Sequence, residues 1–270
     1  MAFPSIVRGR LFIRADFMLS FWARTSGTWI NVATVLIGSG LGLLLRHRLP
    51  VAMQQIITQA VGLLTLVIGF ALSRSLFEVE AGPIDGVILG LLALVLGGLL
   101  GEWWQIEKKL RAIGDALKAQ VKGGGRFTEG FVAASLLFCI GPMTIIGSLN
   151  NGLAGDNTLL TLKSAMDGLA SIALTSTYGT GVGFSAITVL LMQGGLSLLA
   201  GMLATSLTDP ATDPHVLLTT GIGGMMIIGL GFSLLEIAKI RVASFLPALV
   251  LGPVVVAIAQ TATPSQNRWA

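Results

Sequence analysis

The sequence has little charge: Asp, Glu, Lys and Arg make up 11% of its 270 residues, against about 25% in ordinary soluble domains. A conventional soluble enzyme is excluded. There is one cysteine, Cys139, inside an apolar stretch, so disulfide frameworks, zinc ribbons and CxxC redox chemistry are excluded by count. The two histidines, His47 and His215, lie far apart at segment ends with no carboxylate and nucleophile at helical spacing. Neither a histidine-built metal cage nor a Ser/His/Asp triad can be assembled from them. With no HExxH or aspartate-dyad motif either, the expectation is a protein that is not an enzyme and takes no cofactor or catalytic metal. The net charge is +4, but the cations fall between apolar segments, so nucleic acid is not an expected partner. They read as topology signals.

What is abundant is apolar side chain, 53% of residues, and glycine, 35 of 270, where about 7% is usual. Glycine spread through apolar runs is what packed membrane helices contain. A spanning helix needs about 20 mostly apolar residues, and the runs that come close are roughly 29–45, 55–73, 84–101, 128–147, 160–178, 183–206, 216–235 and 245–260. The expected fold class is an all-α polytopic integral membrane protein with about eight transmembrane helices. The fourth and fifth runs are rich in Gly, Asn and Ser, so one of them is a candidate for a broken or re-entrant helix. Trp29, Trp103 and Trp104 stand at run ends, where indoles anchor at the headgroup level.

The one long polar connection covers residues 102–126. In it Ile106, Leu110, Ile113, Leu117 and Val121 recur at helical spacing opposite Lys108, Lys109, Arg111, Lys118 and Lys122. That pattern predicts an amphipathic helix lying on an anionic cytoplasmic surface, ended by the hinge Gly123-Gly124-Gly125. Residues 1–26 form a basic extension with Arg8, Arg10, Arg14 and Arg24 and lack the apolar core of a secretory signal. Counting cations by alternate connections puts Arg46, Arg48, the group from Lys108 to Arg126, Lys239 and Arg241 on one side, Arg74, Arg268 and the N-terminal arginines on the other. The first side is expected to be cytoplasmic, in a multi-pass protein of a bacterial inner membrane.

An internal repeat is visible. Thr58, Gly62, Gly69-Phe70 and Gly90 recur at one constant offset as Thr220, Gly224, Gly231-Phe232 and Gly252, and Thr34-Val35-Leu36 has a looser counterpart in Thr188-Val189-Leu190. The connecting charges invert: Arg46 and Arg48 answer to Asp209 and Asp213, Glu78 and Glu80 to Lys239 and Arg241. Equivalent loops then lie on opposite sides of the membrane. The expected organisation is an inverted three-helix repeat, 27–101 and 182–260, flanking two central polar helices in 127–181, with a tail at 261–270. Inverted repeats are the architecture of many secondary transporters; a duplication that made only a stable bundle is the plainer reading.

The central block carries the chemistry. Lys163 and Asp167 are spaced i, i+4 and share a helix face that Ser171, Thr175 and Tyr178 continue. A charge inside a bilayer costs at least about 2.5 kcal/mol unless paired or solvated, so the two either neutralise one another for insertion or serve a solute or proton. Gly141-Pro142 should break the fourth run. The Ser148, Asn150, Asn151, Asp156 and Asn157 that follow supply oxygens and amides suited to alkali cations or small polar solutes, or form a solvated turn. Gly179, Gly181 and Gly183 lack the strand and spacing of a dinucleotide fingerprint and read as a helix break or close packing. Asn31, Asp85 and Gln193 are lesser polar positions that either join the site or cap and crosslink helices.

The opening GTWINVATVLIGSGLG with Leu49-Pro50, the central GSLNNGLAGD followed by KSAMDG, and the late FLPAL resemble an uncharacterised family of bacterial membrane proteins of unknown function, the DUF554 family represented by YdfK and YqgA. The resemblance runs over about residues 27–260, leaves 1–26 outside it, and implies an integral inner-membrane protein without implying substrate or reaction. Two functional expectations follow. The first is a small secondary transporter or channel-like carrier of a polar or ionic solute. The second is a non-transport scaffold or sensor that works through the basic amphipathic helix. Lipid is the expected surrounding, and glycine-rich faces are suited to a homodimer.

Overall fold

The computed structural model describes residues 6–46, 48, 50–203 and 212–261, with side chains from residue 21 onward except at 142, 154 and 201–203; His47, Asp209 and the tail 262–270 lie outside the described residues. Among the described residues every regular element is helical: α1 Ile6–Arg46, α2 Val51–Ser73, α3 Gly86–Trp103, α4 Ile106–Gln120, α5 Phe127–Cys139, α6 Pro142–Ala154, α7 Thr158–Tyr178, α8 Gly181–Val189, a π-helical turn Leu190–Gly194, α9 Gly195–Leu203, α10 Pro214–Leu234 and α11 Leu246–Thr261. α1 runs through residue 27 unbroken, so the basic extension and the first membrane run share one helix.

The distribution of polarity is that of a chain whose solvent is hydrocarbon. On α2 and α3 the large apolar side chains Leu63, Val67, Leu91 and Leu99 face outward, while Thr58, Thr65, Gly62 and Gly90 are buried. Lys163, Asp167, Asn31, Asn151 and Gln193 are buried too. Small and polar residues at helix contacts with apolar residues outside is the arrangement lipid imposes.

Among the described residues six helices are long and apolar enough to cross a membrane, or seven if the bent pair Phe127–Cys139 and Met143–Leu153 is one span. The expected count of eight is not reached by length and composition alone. The fourth run is divided by a 60° bend, and α7, although 21 residues long, carries Lys163, Asp167 and many hydroxyls that take it below the apolar threshold. The bent pair passes from one end of the bundle to the other: Phe127 packs on Gly181 near Tyr178, whereas Gly155 ends α6 beside Ala23. It is a broken helix and does not turn back.

α7 lies parallel to α1 in close contact. A Cβ on Gly38 would stand 2.3 Å from the Gly168 carbonyl oxygen, and one on Gly42 2.5 Å from that of Ile172. The helices of the expected repeat pack on one another antiparallel. Gly62 abuts Leu234 and Leu235, and its equivalent Gly224 abuts Leu72 and Ser73, the positions equivalent to those leucines. Gly69 meets Ile228, and Gly231 in turn meets Leu66. Contacts from i to j and from j to i are what a two-fold relation generates, and inverted copies require the antiparallel sense.

α4 departs from the sequence expectation. Ile106, Leu110 and Leu117 pack onto the protein core, Ile113 and Val121 stay exposed, and Glu107 is buried, accepting the Ala243 N–H at 3.1 Å. The helix is docked on its own bundle, with only part of its apolar face left for lipid. The turn Val242–Phe245 has no side-chain cap of its own, and Glu107 supplies an acceptor for one of its N–H groups.

Candidate functional site

The centre of the bundle is built on the break between α5 and α6. Gly141 has φ 154°, a conformation open essentially to glycine. Pro142 opens α6 at a position where proline is favoured. Having no N–H, Pro142 cannot return the helical bond to the Phe138 carbonyl. The Thr144 hydroxyl donates to that oxygen instead, at 3.2 Å. The Phe138 ring centroid lies 6.0 Å from Lys163 Nζ, which puts the break beside the charged residues of α7.

Lys163 donates through Nζ to Asp167 Oδ2, and Asn31 Nδ2 of α1 donates to the same oxygen at 2.9 Å. The pair is closed off, its side chains 8% and 9% exposed. Among the described residues Asn31 Oδ1 has no hydrogen-bond partner, nor have either amide atom of Gln193 or the hydroxyls of Thr28, Ser148, Thr175 and Ser197. These side chains stand on α1, α6, α7, α9 and the π-helical turn. An unpaired polar group in an apolar medium costs several kcal/mol, and an interior with this many donors and acceptors is equipped to hydrogen-bond something that enters it. The π-helical turn itself, an insertion that recurs at functional sites, is what carries Gln193 inward.

The other residues singled out from sequence stand apart from this pair or bond within their own surroundings. Asn151 accepts the Gly27 N–H at 3.0 Å and donates to the Ala23 carbonyl at 2.9 Å, tying α6 to α1. Asp156 is exposed and accepts the Thr158 N–H at 2.9 Å at the start of α7; bonds from Thr158 hold its carboxyl below the ordinary value. Asn150 is half-buried and is not brought to the Lys163–Asp167 pair. Ser171 is buried, but its hydroxyl donates to the Asp167 carbonyl of its own helix at 2.7 Å. Asp85 caps α3, accepting from Val87 at 2.7 Å. Gly179, with φ 84°, ends α7 where the Arg46 guanidinium lies against it, and Gly181 allows α8 to touch the Phe127 carbonyl. Thus the structure gathers Lys163, Asp167 and Asn31, buries Gln193 in the π-helical turn, and leaves Asn151 and Asp156 toward the end marked by Ala23.

The opposite end collects cations from connections far apart in sequence. Arg46 reaches Gly125 and Gly179, Arg126 pairs with Glu236 at 3.2 Å, and Arg241 pairs with Glu102 at 2.6 Å. Sequence reasoning grouped these cations by side but missed that Arg126 and Arg241 line a cavity. It also missed Thr28 and Ser197, although each lies three or four residues from a polar partner, Asn31 and Gln193, on one helix face.

The model of a protein family described as being of unknown function, DUF554, matches residues 26–257. The chain belongs to the DUF554 family. It is 29% identical over 230 residues to the Bacillus subtilis protein named "Uncharacterized membrane protein YdfK", covering 85% of this chain and 95% of that one. It is 30% identical over 234 residues to the uncharacterised protein YqgA of Escherichia coli, covering 83% and 93%. No solved structure matches. This DUF554 chain is a membrane protein, and its buried centre lies within the matched region.

Proposed function

We propose that this DUF554 protein is a small secondary transporter or channel-like carrier of a small polar or ionic solute, seated in the bacterial inner membrane with the cation-rich end cytoplasmic. One observation carries the reading: a Lys–Asp pair with a shared asparagine, enclosed at mid-bundle beside a broken helix and accompanied by unpartnered polar side chains. Ionisable residues within a membrane mark substrate and ion paths by default, and broken helices at the contact of inverted repeats form the sites of many carriers. The antiparallel reciprocal packing of α2 on α10 supports that framework.

In this reading Asp167 and Asn31 contact the solute or its coupling ion, Lys163 balances the carboxylate when the site is empty, and the bend at Gly141 lets α6 move against α1. The scaffold or sensor reading has less support, because the face of α4 that would recruit a partner is largely docked on α5 and on Val242–Phe245. The test is reconstitution of the purified protein into liposomes, a thermal-shift panel of solutes and cations, and uptake measured for each hit in wild type and Asp167→Asn. Uptake that disappears in a folded Asp167→Asn protein is the expected result. The absence of binding and flux across the panel in folded wild-type protein would overturn it.

A further inference from the structure

At the cation-rich end a cavity of about 510 Å³ opens between α4, α5, α10 and the segment after α10. That volume is in the range of small-molecule sites, which combine apolar walls with a few placed polar groups. Its floor is apolar, formed by Val132 and Leu136 of α5 and Leu230 and Leu234 of α10. Around it stand Arg111, Arg126, Lys239 and Arg241 together with Glu107, Glu129 and Glu236.

The carboxylates and the cations are not equivalent in what they have left to offer. Glu107 accepts from Arg111 and from Ala243; Glu129 and Glu236 both accept from Arg126. Each guanidinium, by contrast, carries five N–H groups. Arg126 uses Nε on Glu129 at 2.5 Å and Nη1 on Glu236 at 3.2 Å. Its plane is steadied over the Tyr178 ring, 4.7 Å from the centroid. Arg241 uses Nη1 on Glu102, and Lys239 makes no ion pair among the described residues. Burial works against the Arg126 charge, but its bond to Glu129 and the neighbouring Tyr178 and Glu236 raise its pKa overall, so it stays a donor. The lining therefore has N–H donors left over beside acceptors that are already engaged. That is a receptor for an oxyanion, which forked arginines grip through paired bonds.

The position says what carries the oxyanion. The cavity joins an apolar floor between spanning helices to a charged mouth, and Trp103 and Trp104, both exposed, mark the headgroup level at the end of α3. Basic pockets between spanning helices on the cytoplasmic side are where anionic headgroups bind. We propose that this cavity binds the phosphate of an anionic phospholipid, with the headgroup oxygens on Arg126, Arg111, Lys239 and Arg241 and an acyl chain over Leu136 and Leu230. The assignment stands whether or not the protein transports anything.

The full-length protein, purified in detergent and stripped of lipid, would be titrated with phosphatidylglycerol, phosphatidylcholine and free glycerol 3-phosphate, with binding read by native mass spectrometry and by thermal shift. Phosphatidylglycerol should bind and stabilise, and phosphatidylcholine should not. The double variant Arg111→Gln with Arg126→Gln should weaken phosphatidylglycerol binding by about tenfold or more, the scale of losing charge-assisted hydrogen bonds. Lys239→Glu, which breaks no ion pair in the structure, should weaken it as well and guards against misfolding of the double variant. Equal binding of the two lipids, or unchanged phosphatidylglycerol affinity in folded Lys239→Glu and the double variant, would overturn the proposal. Binding of glycerol 3-phosphate without phosphatidylglycerol would overturn the lipid source and leave a site for a soluble phosphate ester. Asp167→Asn should leave lipid binding intact even where it abolishes flux, which separates this assignment from the transport reading.

Discussion

Removing one member of the Lys163–Asp167 pair should destabilise the protein far more than removing both. The side chains are 8% and 9% exposed, so solvent cannot take over from a lost partner. Lys163→Met leaves the Asp167 carboxylate with only the Asn31 Nδ2 bond of 2.9 Å. Breaking a buried pair in this way costs about 3–5 kcal/mol, which at about 2–4 °C per kcal/mol for a chain of this size lowers Tm by about 6–20 °C. In the double variant Lys163→Met with Asp167→Leu no buried charge remains. Apolar replacement of a buried pair is neutral or favourable by about 1–4 kcal/mol, against which the Asn31 amide loses its acceptor at about 1–3 kcal/mol. The double variant should therefore unfold within about 3 kcal/mol of wild type. Thermal and denaturant unfolding in detergent micelles, followed by tryptophan fluorescence, reads all of these states. If the double variant is no more stable than the weaker single variant, the pair is not coupled and the reasoning fails. Uptake in liposomes separates stability from function, because the transport reading expects the folded double variant to carry no flux.

Further outcomes follow from individual residues. Gln193→Leu should raise stability by about 1–2 kcal/mol, since it removes a buried amide with both polar atoms unpartnered, and should lower uptake; a variant that is less stable with normal flux would assign Gln193 to packing. Gly38→Val should lower Tm, the overpacking cost being about 1–3 kcal/mol, because its Cβ would stand 2.3 Å from the Gly168 carbonyl oxygen. Gly40→Ala, with nothing within 4 Å, should stay within about 0.5 kcal/mol of wild type; equal losses at the two glycines would refute the α1–α7 contact. Asp156 has its pKa lowered from 3.8 by bonds from Thr158, so the stability it adds is present above 3.8 and is lost as pH falls through the lower folded-state value. The stability gap between wild type and Asp156→Asn should close on acidification below 3.8, and a gap independent of pH would show that the carboxylate makes no such contribution.

The sequence by itself determined the solvent of this protein. A chain with 53% hydrophobic and 11% charged residues, cut into runs of spanning length, has no folded solution in water but has one in lipid, because backbone groups in hydrocarbon must bond within their own helix. The break at Gly141-Pro142, the shared face of Lys163 and Asp167, and the side on which Arg46, Arg126 and Arg241 gather were legible for the same reason: each is local stereochemistry or alternation of loops. The number of spanning helices was not fixed by hydropathy, since α7 is polar along the face it turns to α1 and its burial depends on that neighbour. Only the tertiary structure put Asn31 on Asp167, 136 residues away in the chain, turned the Ser171 hydroxyl back into its own helix, and tied Asn151 to Gly27. It also docked α4 through Glu107 and formed a cavity beside Arg126. These are contacts between elements distant in sequence, set by how glycine-lined helices approach one another, and no pattern along one helix encodes which side chain of another will stand opposite.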